Sequence, residues 1–224
     1  MKKTRKILLM AACAVLLVCI SVGATVAYLT STDSVTNTFT VGKVAITLDE
    51  LDVDNSTPNA NRDKANAYKL MPGHSYVKDP TVHFAAGSEE SYLFVKVENE
   101  IEAIEDKYTY GDTDPKKSHT IDEQIAANDW VELDGVDNVY YKKVDANTGA
   151  NAVDYKVFDG FKIIDSIEAR PATPVAGVKY LEDYNNKKIT VTAYAVQADG
   201  FATAKAAWDA TFGKPVLPED TTNP

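Results

Sequence analysis

The chain has 224 residues, of which 45% are hydrophobic and 25% are charged, a composition that excludes a fully disordered protein and suits one domain with its own apolar core. Its formal charge is −10, and from residue 28 onward 19 basic residues stand against 33 acidic ones, a formal charge of −14. Phosphates repel so acidic a domain, and we therefore expect no nucleic-acid partner.

The N-terminal residues have the pattern of an export signal. A basic start is followed by the almost continuously apolar run Ile7–Val22 and by the small residues of Ala24–Ala27, where a signal peptidase would cut. We predict a signal peptide over residues 1–27, with cleavage between Ala27 and Tyr28. An uncleaved anchor is the alternative, because the apolar stretch approaches the roughly 20 residues that span a bilayer. Either way, the rest of the chain lies outside the cytoplasm.

Both cysteines, Cys13 and Cys19, lie inside this apolar run. The part of the chain that is predicted to be exported therefore has no cysteine. We expect its fold to depend on an apolar core alone, without disulfides and without thiol catalysis.

From residue 28 onward the sequence predicts short strands separated by polar loops. In Tyr92–Glu98, the residues Leu93, Val95 and Val97 alternate with the others, which is the period of a half-buried antiparallel strand. Ile189–Gln197, which begins with β-branched residues, is the clearest strand. The other predicted elements are strands at 37–48 and 81–84, a strand pair or one long bent strand at 153–164, a hairpin of 130–133 with 139–144, a short helix at 121–128 and a polar loop at 51–66.

The last predicted element is a helix over Phe201–Phe212. Phe201, Ala204, Trp208 and Thr211 recur there at helical spacing, with alanine between them. The spacing predicts an amphipathic helix whose aromatic residues cover an edge or end of the sheet.

These elements show no alternation of strands with helices. The sequence therefore predicts a mainly β protein, an antiparallel jelly-roll or Greek-key β-sandwich with one C-terminal amphipathic helix. The sandwich domain would span residues 28–213, and the proline-containing residues 214–224 would form a flexible tail.

The sequence indicates no catalytic or metal site, and we predict a protein that is not an enzyme and has no cofactor. The histidines His74, His83 and His119 lack the spacing of zinc-peptidase ligands. The acidic run Asp49–Asn55 lacks the glycine and the later glutamate of a calcium loop, which favours a solvated acidic loop over a weak calcium site. Tyr140–Tyr141 could form a carbohydrate-stacking surface, although tyrosines in strands usually serve packing.

Three blocks occur in order along the chain: residues 23–48, with Ala-Thr-Val-Ala-Tyr-Leu-Thr and Asn-Thr-Phe-Thr-Val-Gly; residues 71–97, with Met-Pro-Gly and Lys-Asp-Pro-Thr-Val; and residues 189–212. They resemble the TasA/camelysin family, secreted proteins of Gram-positive bacteria that use a dedicated ER-type signal peptidase, SipW. The resemblance implies a jelly-roll β-sandwich and a role as a subunit of biofilm-matrix or cell-surface fibres. The implied partners are the signal peptidase, further copies of the chain and the extracellular matrix or cell surface.

In fibres of this family, the segment freed by signal cleavage is thought to act as a donor strand for the neighbouring subunit. The corresponding segment here is residues 28–40, and the candidate donor-strand residues are Tyr28, Val35, Phe39 and Val41. Strand addition completes an open sheet edge and gives a head-to-tail contact that does not close. Two alternatives stay open at this point: a camelysin-like secreted metallopeptidase, for which the chain lacks a zinc motif, and a monomeric surface adhesin.

Overall fold

The computed structural model describes residues 42–58, 60–109 and 118–213 of the chain. Several predictions fall outside these residues and are not tested by the structure. They are the signal peptide over 1–27 with its cleavage between Ala27 and Tyr28, the donor-strand residues Tyr28, Val35, Phe39 and Val41, and the tail over 214–224.

The described part of the chain is mainly β, as predicted, with short strands and few helices. Its strands are β1 (Ile46–Leu51), β2 (Arg62–Asp63), β3 (Ser75–Val77), β4 (Thr81–Phe84), β5 (Ser91–Asn99), β6 (Glu105–Asp106), β7 (Tyr108–Thr109), β8 (Ser118–His119), β9 (Val131–Glu132), β10 (Val139–Val144), β11 (Val153–Lys156), β12 (Gly160–Ile163) and β13 (Ile189–Gln197). Its α-helices are α1 (Ile121–Ala127) and α2 (Ala204–Thr211), and its 3-10 helices are Glu102–Ile104 and Leu181–Tyr184.

All strand pairs among the described residues are antiparallel, and two four-stranded sheets dominate. The first sheet has the order β11-β4-β1-β2, and the second has the order β13-β5-β10-β9. A three-stranded sheet, β3-β12-β6, and the pair β7-β8 accompany them. In the first sheet Val82 lies opposite both Leu48 and Tyr155, and in the second Leu93 lies opposite both Lys142 and Ala195.

The two large sheets contribute to one buried core. Leu93, Val95 and Val97 of β5 pack in the same apolar cluster as Val82 and Phe84 of β4. The predicted strand and its alternation are therefore confirmed, but β5 is buried on both faces rather than half-buried, since Tyr92 and Phe94 are buried too. Burying one such side chain stabilises the fold by about 1.5–3 kcal/mol.

The opposite face of the second sheet is covered by α2. The Trp208 ring lies 5.1 Å from that of Phe94 and 5.6 Å from that of Tyr194. Thr203 caps the helix, since its hydroxyl accepts a hydrogen bond from Ala206 N at 3.1 Å. The predicted C-terminal helix is confirmed, but it covers a face of the sheet rather than an edge or end, because Phe94 belongs to the central strand β5.

Two further regions differ from the sequence prediction. Residues 51–66, predicted as a loop, contain the short strand β2, which pairs with the end of β1. Residues 153–164 form two strands in different sheets, since β11 pairs with β4 whereas β12 pairs with β3 and β6. The short helix predicted at 121–128 is confirmed as α1, which begins with a capping box between Thr120 and Glu123.

Candidate functional site

A groove of about 1250 Å³ lies between strands β1 and β13. Among the described residues, β13 pairs only with β5, and β1 pairs with β4 along Ile46–Asp49 and with β2 only at Glu50 and Leu51. Each strand therefore has an edge without a described partner, and the backbone N–H and C=O groups of such an edge can accept another strand.

The walls of this groove combine apolar side chains with polar and charged ones. Ile46 and Leu48 of β1 and Ile189, Val191 and Ala193 of β13 line it, and all five are half-buried side chains that pack against the shared core. The groove is larger than a typical small-molecule pocket of about 300–1,000 Å³. Residues 189–193 lie along the groove, and five residues of a strand span roughly 13 Å, the length of a short extended segment.

The described chain begins at one end of this seam between the sheets. A Cβ atom placed on Gly42 would lie 3.1 Å from Glu89 Cγ and 3.6 Å from Nε2 of Gln197, the last residue of β13. Glu89 N donates a hydrogen bond to Lys43 O at 3.0 Å, which fixes this approach to β1. Residue 42 thus lies beside the last residue of β13.

One part of the groove wall is polar and buried. Glu50 of β1 is 5% exposed and Lys78, which precedes β4, is 9% exposed. The Lys78 ammonium pairs with Oε2 of Glu50, and Asn66 Nδ2 donates to Oε1 of the same carboxylate at 2.9 Å. Buried ion pairs are costly to desolvate, so this arrangement needs an explanation beyond stability.

A chain of charged side chains crosses the first sheet. His83 Nδ1 lies 2.6 Å from Asp154 Oδ1, and His83 Nε2 lies 2.9 Å from Asp49 Oδ1. Arg62 then donates to Asp49 Oδ1 at 2.5 Å and to Asp79 Oδ2 at 2.9 Å. Antiparallel register brings these residues together, because His83 lies opposite Asp154 in the β4–β11 pair.

The pKa values of this chain follow from burial and hydrogen bonding. Burial opposes the charged imidazolium, but the hydrogen bonds to Asp49 and Asp154 outweigh it and raise the pKa of His83. Burial also opposes the Asp49 carboxylate, but His83 and Arg62 outweigh it and lower the pKa of Asp49. The site therefore favours a charged histidine between two carboxylates.

Three carboxylates meet beside β2. Oxygens of Asp52, Asp54 and Asp63 all lie within 4.8 Å of one another, an arrangement that could hold a divalent cation. The sequence run Asp49–Asn55 contains two of them, and Asp63 is missed because only the β1–β2 pairing brings it near.

These three carboxylates already serve the surrounding loop. Asp52 accepts hydrogen bonds from the backbone N–H groups of Ser56 and Thr57, and Asp54 accepts one from Ala67 N at 2.6 Å. The bond from Ala67 is the main cause of the lowered pKa of Asp54. The loop contacts explain the cluster without a metal.

The tyrosine pair that suggested a stacking surface is divided by the strand. Tyr140 packs against the shared core, and its hydroxyl donates to Asp122 Oδ1 at 3.0 Å. Tyr141 lies on the other face of β10, beside Tyr92 and Phe94. Neighbouring residues of a strand point to opposite faces, so the two rings do not form one surface.

His74 and His119, the other two histidines considered as possible zinc ligands, are separate from His83 in the sequence. His74 lies in the turn before β3, and its backbone N donates to Met71 O at 3.2 Å. His119, in β8, has its Nδ1 3.6 Å from Glu123 Oε2.

Comparison of the chain with protein-family models, with curated proteins and with solved structures finds no match. Within the described ranges, no helix is long and apolar enough to cross a membrane. The geometry of the groove between β1 and β13 therefore carries the argument on function.

Proposed function

We propose that the protein is a secreted structural subunit of a biofilm matrix or cell-surface fibre, assembled by strand addition after signal cleavage. The observation that carries this proposal is the groove between the edges of β1 and β13, with its apolar residues Ile46, Leu48, Ile189, Val191 and Ala193. We further infer that the two four-stranded sheets form a jelly-roll β-sandwich, in which one more strand would join β1 to β13 across the seam.

The proposed occupant of the groove is the segment 28–40 of a neighbouring copy. Val35, Phe39 and Val41 are separated by even numbers of residues, so in an extended strand all three side chains point to one face. That face would pack on Leu48 and Val191, while the donor backbone pairs with a free strand edge. The segment carries a single charged side chain, Asp33, so most of it is compatible with the apolar side chains of the groove.

The geometry of attachment supports assembly between copies. Residue 42 lies beside the last residue of β13, and we propose that the segment before it serves a second subunit. A donor-to-groove contact is not self-complementary, and its repetition gives an open filament. It also covers two strand edges that would otherwise invite unspecific pairing.

Electron microscopy of the protein beginning at Tyr28 tests the proposal, beside a version with a short extension before Tyr28. We expect filaments from the first and none from the second. Filaments from both would refute the dependence on cleavage. If neither version forms filaments under any salt or pH, the peptidase and adhesin alternatives gain support.

Paired variants locate the contact. Phe39→Asp in the donor face and Val191→Asp in the groove should each abolish filaments, because a carboxylate would be buried without a partner. The matched controls are Thr40→Asp on the other face of the donor and Val153→Asp, a side chain of β11 that is 41% exposed. Both controls should still form filaments.

Mixing gives the sharpest result. The Phe39→Asp copy retains its groove and the Val191→Asp copy retains its donor strand, so the mixture should form a dimer that cannot grow. Filaments from either variant alone, or a mixture that stays monomeric while the controls polymerise, would contradict the proposed contact.

A further inference from the structure

The polar part of the groove wall brings three reactive residue types together. Glu50 belongs to β1, Asn66 follows β2 and Lys78 precedes β4, so the fold assembles them from three segments. One carboxylate serves both partners, because Glu50 Oε2 pairs with Lys78 Nζ while Glu50 Oε1 accepts from Asn66 Nδ2 at 2.9 Å. The Lys78 amine and the Asn66 carboxamide are therefore both hydrogen-bonded to the Glu50 carboxylate.

The Asn66 amide is also polarised. Its Oδ1 accepts a hydrogen bond from Val53 N at 2.7 Å, and its Nδ2 donates a second bond to Leu51 O at 2.8 Å. A donor on the carbonyl oxygen stabilises the negative charge that develops there when a nucleophile adds to the carbon. These bonds also fix the amide orientation relative to Glu50.

Among the described residues, the Lys78 ammonium has fewer hydrogen-bond partners than it has donors. Within the described ranges, its Nζ has Glu50 as its hydrogen-bond partner, although an ammonium carries three donors. The residue is buried, and burial of charge with incomplete hydrogen bonding is unfavourable. Transfer of a proton from Nζ to Glu50 gives a neutral amine, which is a nucleophile.

We propose that Lys78 and Asn66 form an intramolecular isopeptide bond, with Glu50 as the proton-transfer residue. The lone pair of Nζ adds to Cγ of Asn66, and the resulting oxyanion at Oδ1 is held by Val53 N–H. Glu50 gives the proton it holds to Nδ2 and then takes a second proton from Nζ. The Cγ–Nδ2 bond then breaks and releases ammonia.

The reaction balances without an oxidant or other co-reactant. The three protons of the Lys78 ammonium end as the amide N–H, the third hydrogen of ammonia and the proton on Glu50. The buried ion pair is thus replaced by a neutral amide and a neutral carboxylic acid, which removes two charges from the interior. Proximity supplies the rate, since the fold holds the amine and the amide together.

The bond would fasten one wall of the groove. Residues 64–70 line the groove, and the isopeptide would tie Asn66 in this segment to Lys78 beside β4. All three residues belong to one copy, so the bond does not depend on assembly or on the proposed fibre.

Mass spectrometry of the full chain tests the proposal. Trypsin should be unable to cleave after a modified Lys78, so the peptide 70–96 should appear joined to 65–69, with a total mass lower by one ammonia. In Lys78→Arg and Asn66→Ala the joined peptide should be absent, and Glu50→Gln should slow or abolish its formation. The intact protein should show the same loss of ammonia, relative to these variants.

The other outcomes overturn the proposal. Separate peptides 65–69 and 70–78 at full mass from the wild-type chain, also after prolonged incubation, would show an unreacted ion pair. Loss of ammonia from 65–69 alone, unchanged in Lys78→Arg, would show succinimide formation at Asn66 instead. Loss of water, with Lys78 joined to the peptide 44–62, would show that Glu50 and not Asn66 is the acyl partner.

Discussion

Replacement of His83 by glutamine tests the charged chain that crosses the first sheet. Protonated His83 donates from both ring nitrogens, to Asp49 at 2.9 Å and to Asp154 at 2.6 Å. Glutamine keeps a hydrogen-bonding side chain but carries no charge at any pH. The variant therefore removes the charge on the imidazolium, while Arg62 continues to pair with both Asp49 and Asp79.

The size of the effect follows from the exposure of the two carboxylates. Asp49 has a side chain that is 28% exposed, and a hydrogen bond between charged groups there contributes about 1.5 kcal/mol. Asp154 is 64% exposed, so solvent screening leaves that pair about 0.5 kcal/mol. We expect His83→Gln to destabilise the protein by about 2 kcal/mol at pH 5.5, or about 4–8 °C in Tm for a domain of this size.

The sign of the pH dependence follows from the raised pKa of His83. Both the folded and the unfolded chain carry a charged histidine well below the unfolded value of about 6.5, so the stabilisation is complete there. It is lost as the pH rises through the higher folded pKa, because the folded state then gives up a proton it had held more tightly. The cost of His83→Gln should therefore shrink between pH 5.5 and pH 9.

Urea unfolding of wild type and His83→Gln at both pH values measures this difference. Asp49 loses its own contribution only in more acidic solution, as its lowered pKa is approached, so it does not confound the comparison. His119→Gln is the control, because its ring nitrogen is 3.6 Å from a carboxylate at an exposed helix start. An equal cost of His83→Gln at pH 5.5 and pH 9 would refute the argument.

Two further substitutions test packing elsewhere in the domain. Trp208→Ala should lower the free energy of unfolding by about 2–4 kcal/mol, because it detaches α2 from Phe94 and Tyr194. Urea unfolding measures the cost, and near-UV circular dichroism that does not come from tryptophan reports the loss of packing. The control Asp209→Ala, at an exposed residue, should cost under about 0.5 kcal/mol. Gly160→Ala should cost about 1–3 kcal/mol in thermal unfolding, because a Cβ there would lie 2.3 Å from Tyr76 O and 2.6 Å from Tyr108 Cζ; an unchanged Tm would show that β3 and β12 can separate freely.

The sequence predicts those elements whose two faces differ in polarity or size. In β5 the alternation of aliphatic and aromatic residues identifies both the strand and its two packing faces. The helix over Ala204–Thr211 is likewise visible from its spacing, but its position on the sheet face is not. That position depends on Phe94, an outward-facing aromatic residue whose need for cover the alternation alone does not reveal.

The groove and its polar wall are not readable from the sequence, because they depend on distant pairings. Glu50 and Lys78 are 28 positions apart, and Asn66 reaches them only because β2 pairs with the end of β1. A strand of two residues such as β2 leaves no periodic signal. The acidic cluster shows the same limit, since Asp63 joins Asp52 and Asp54 through this pairing.

The two proposals about the groove are separable because they use different copies of the chain. Glu50, Asn66 and Lys78 belong to one subunit, whereas the donor strand belongs to its neighbour. The isopeptide should therefore be present in the version extended before Tyr28, which is expected to remain monomeric, and in the Val191→Asp variant. If the bond appeared only in filaments, donor binding would be needed to bring Lys78 and Asn66 into reacting position, and the wall of the groove would be completed by assembly rather than prepared for it.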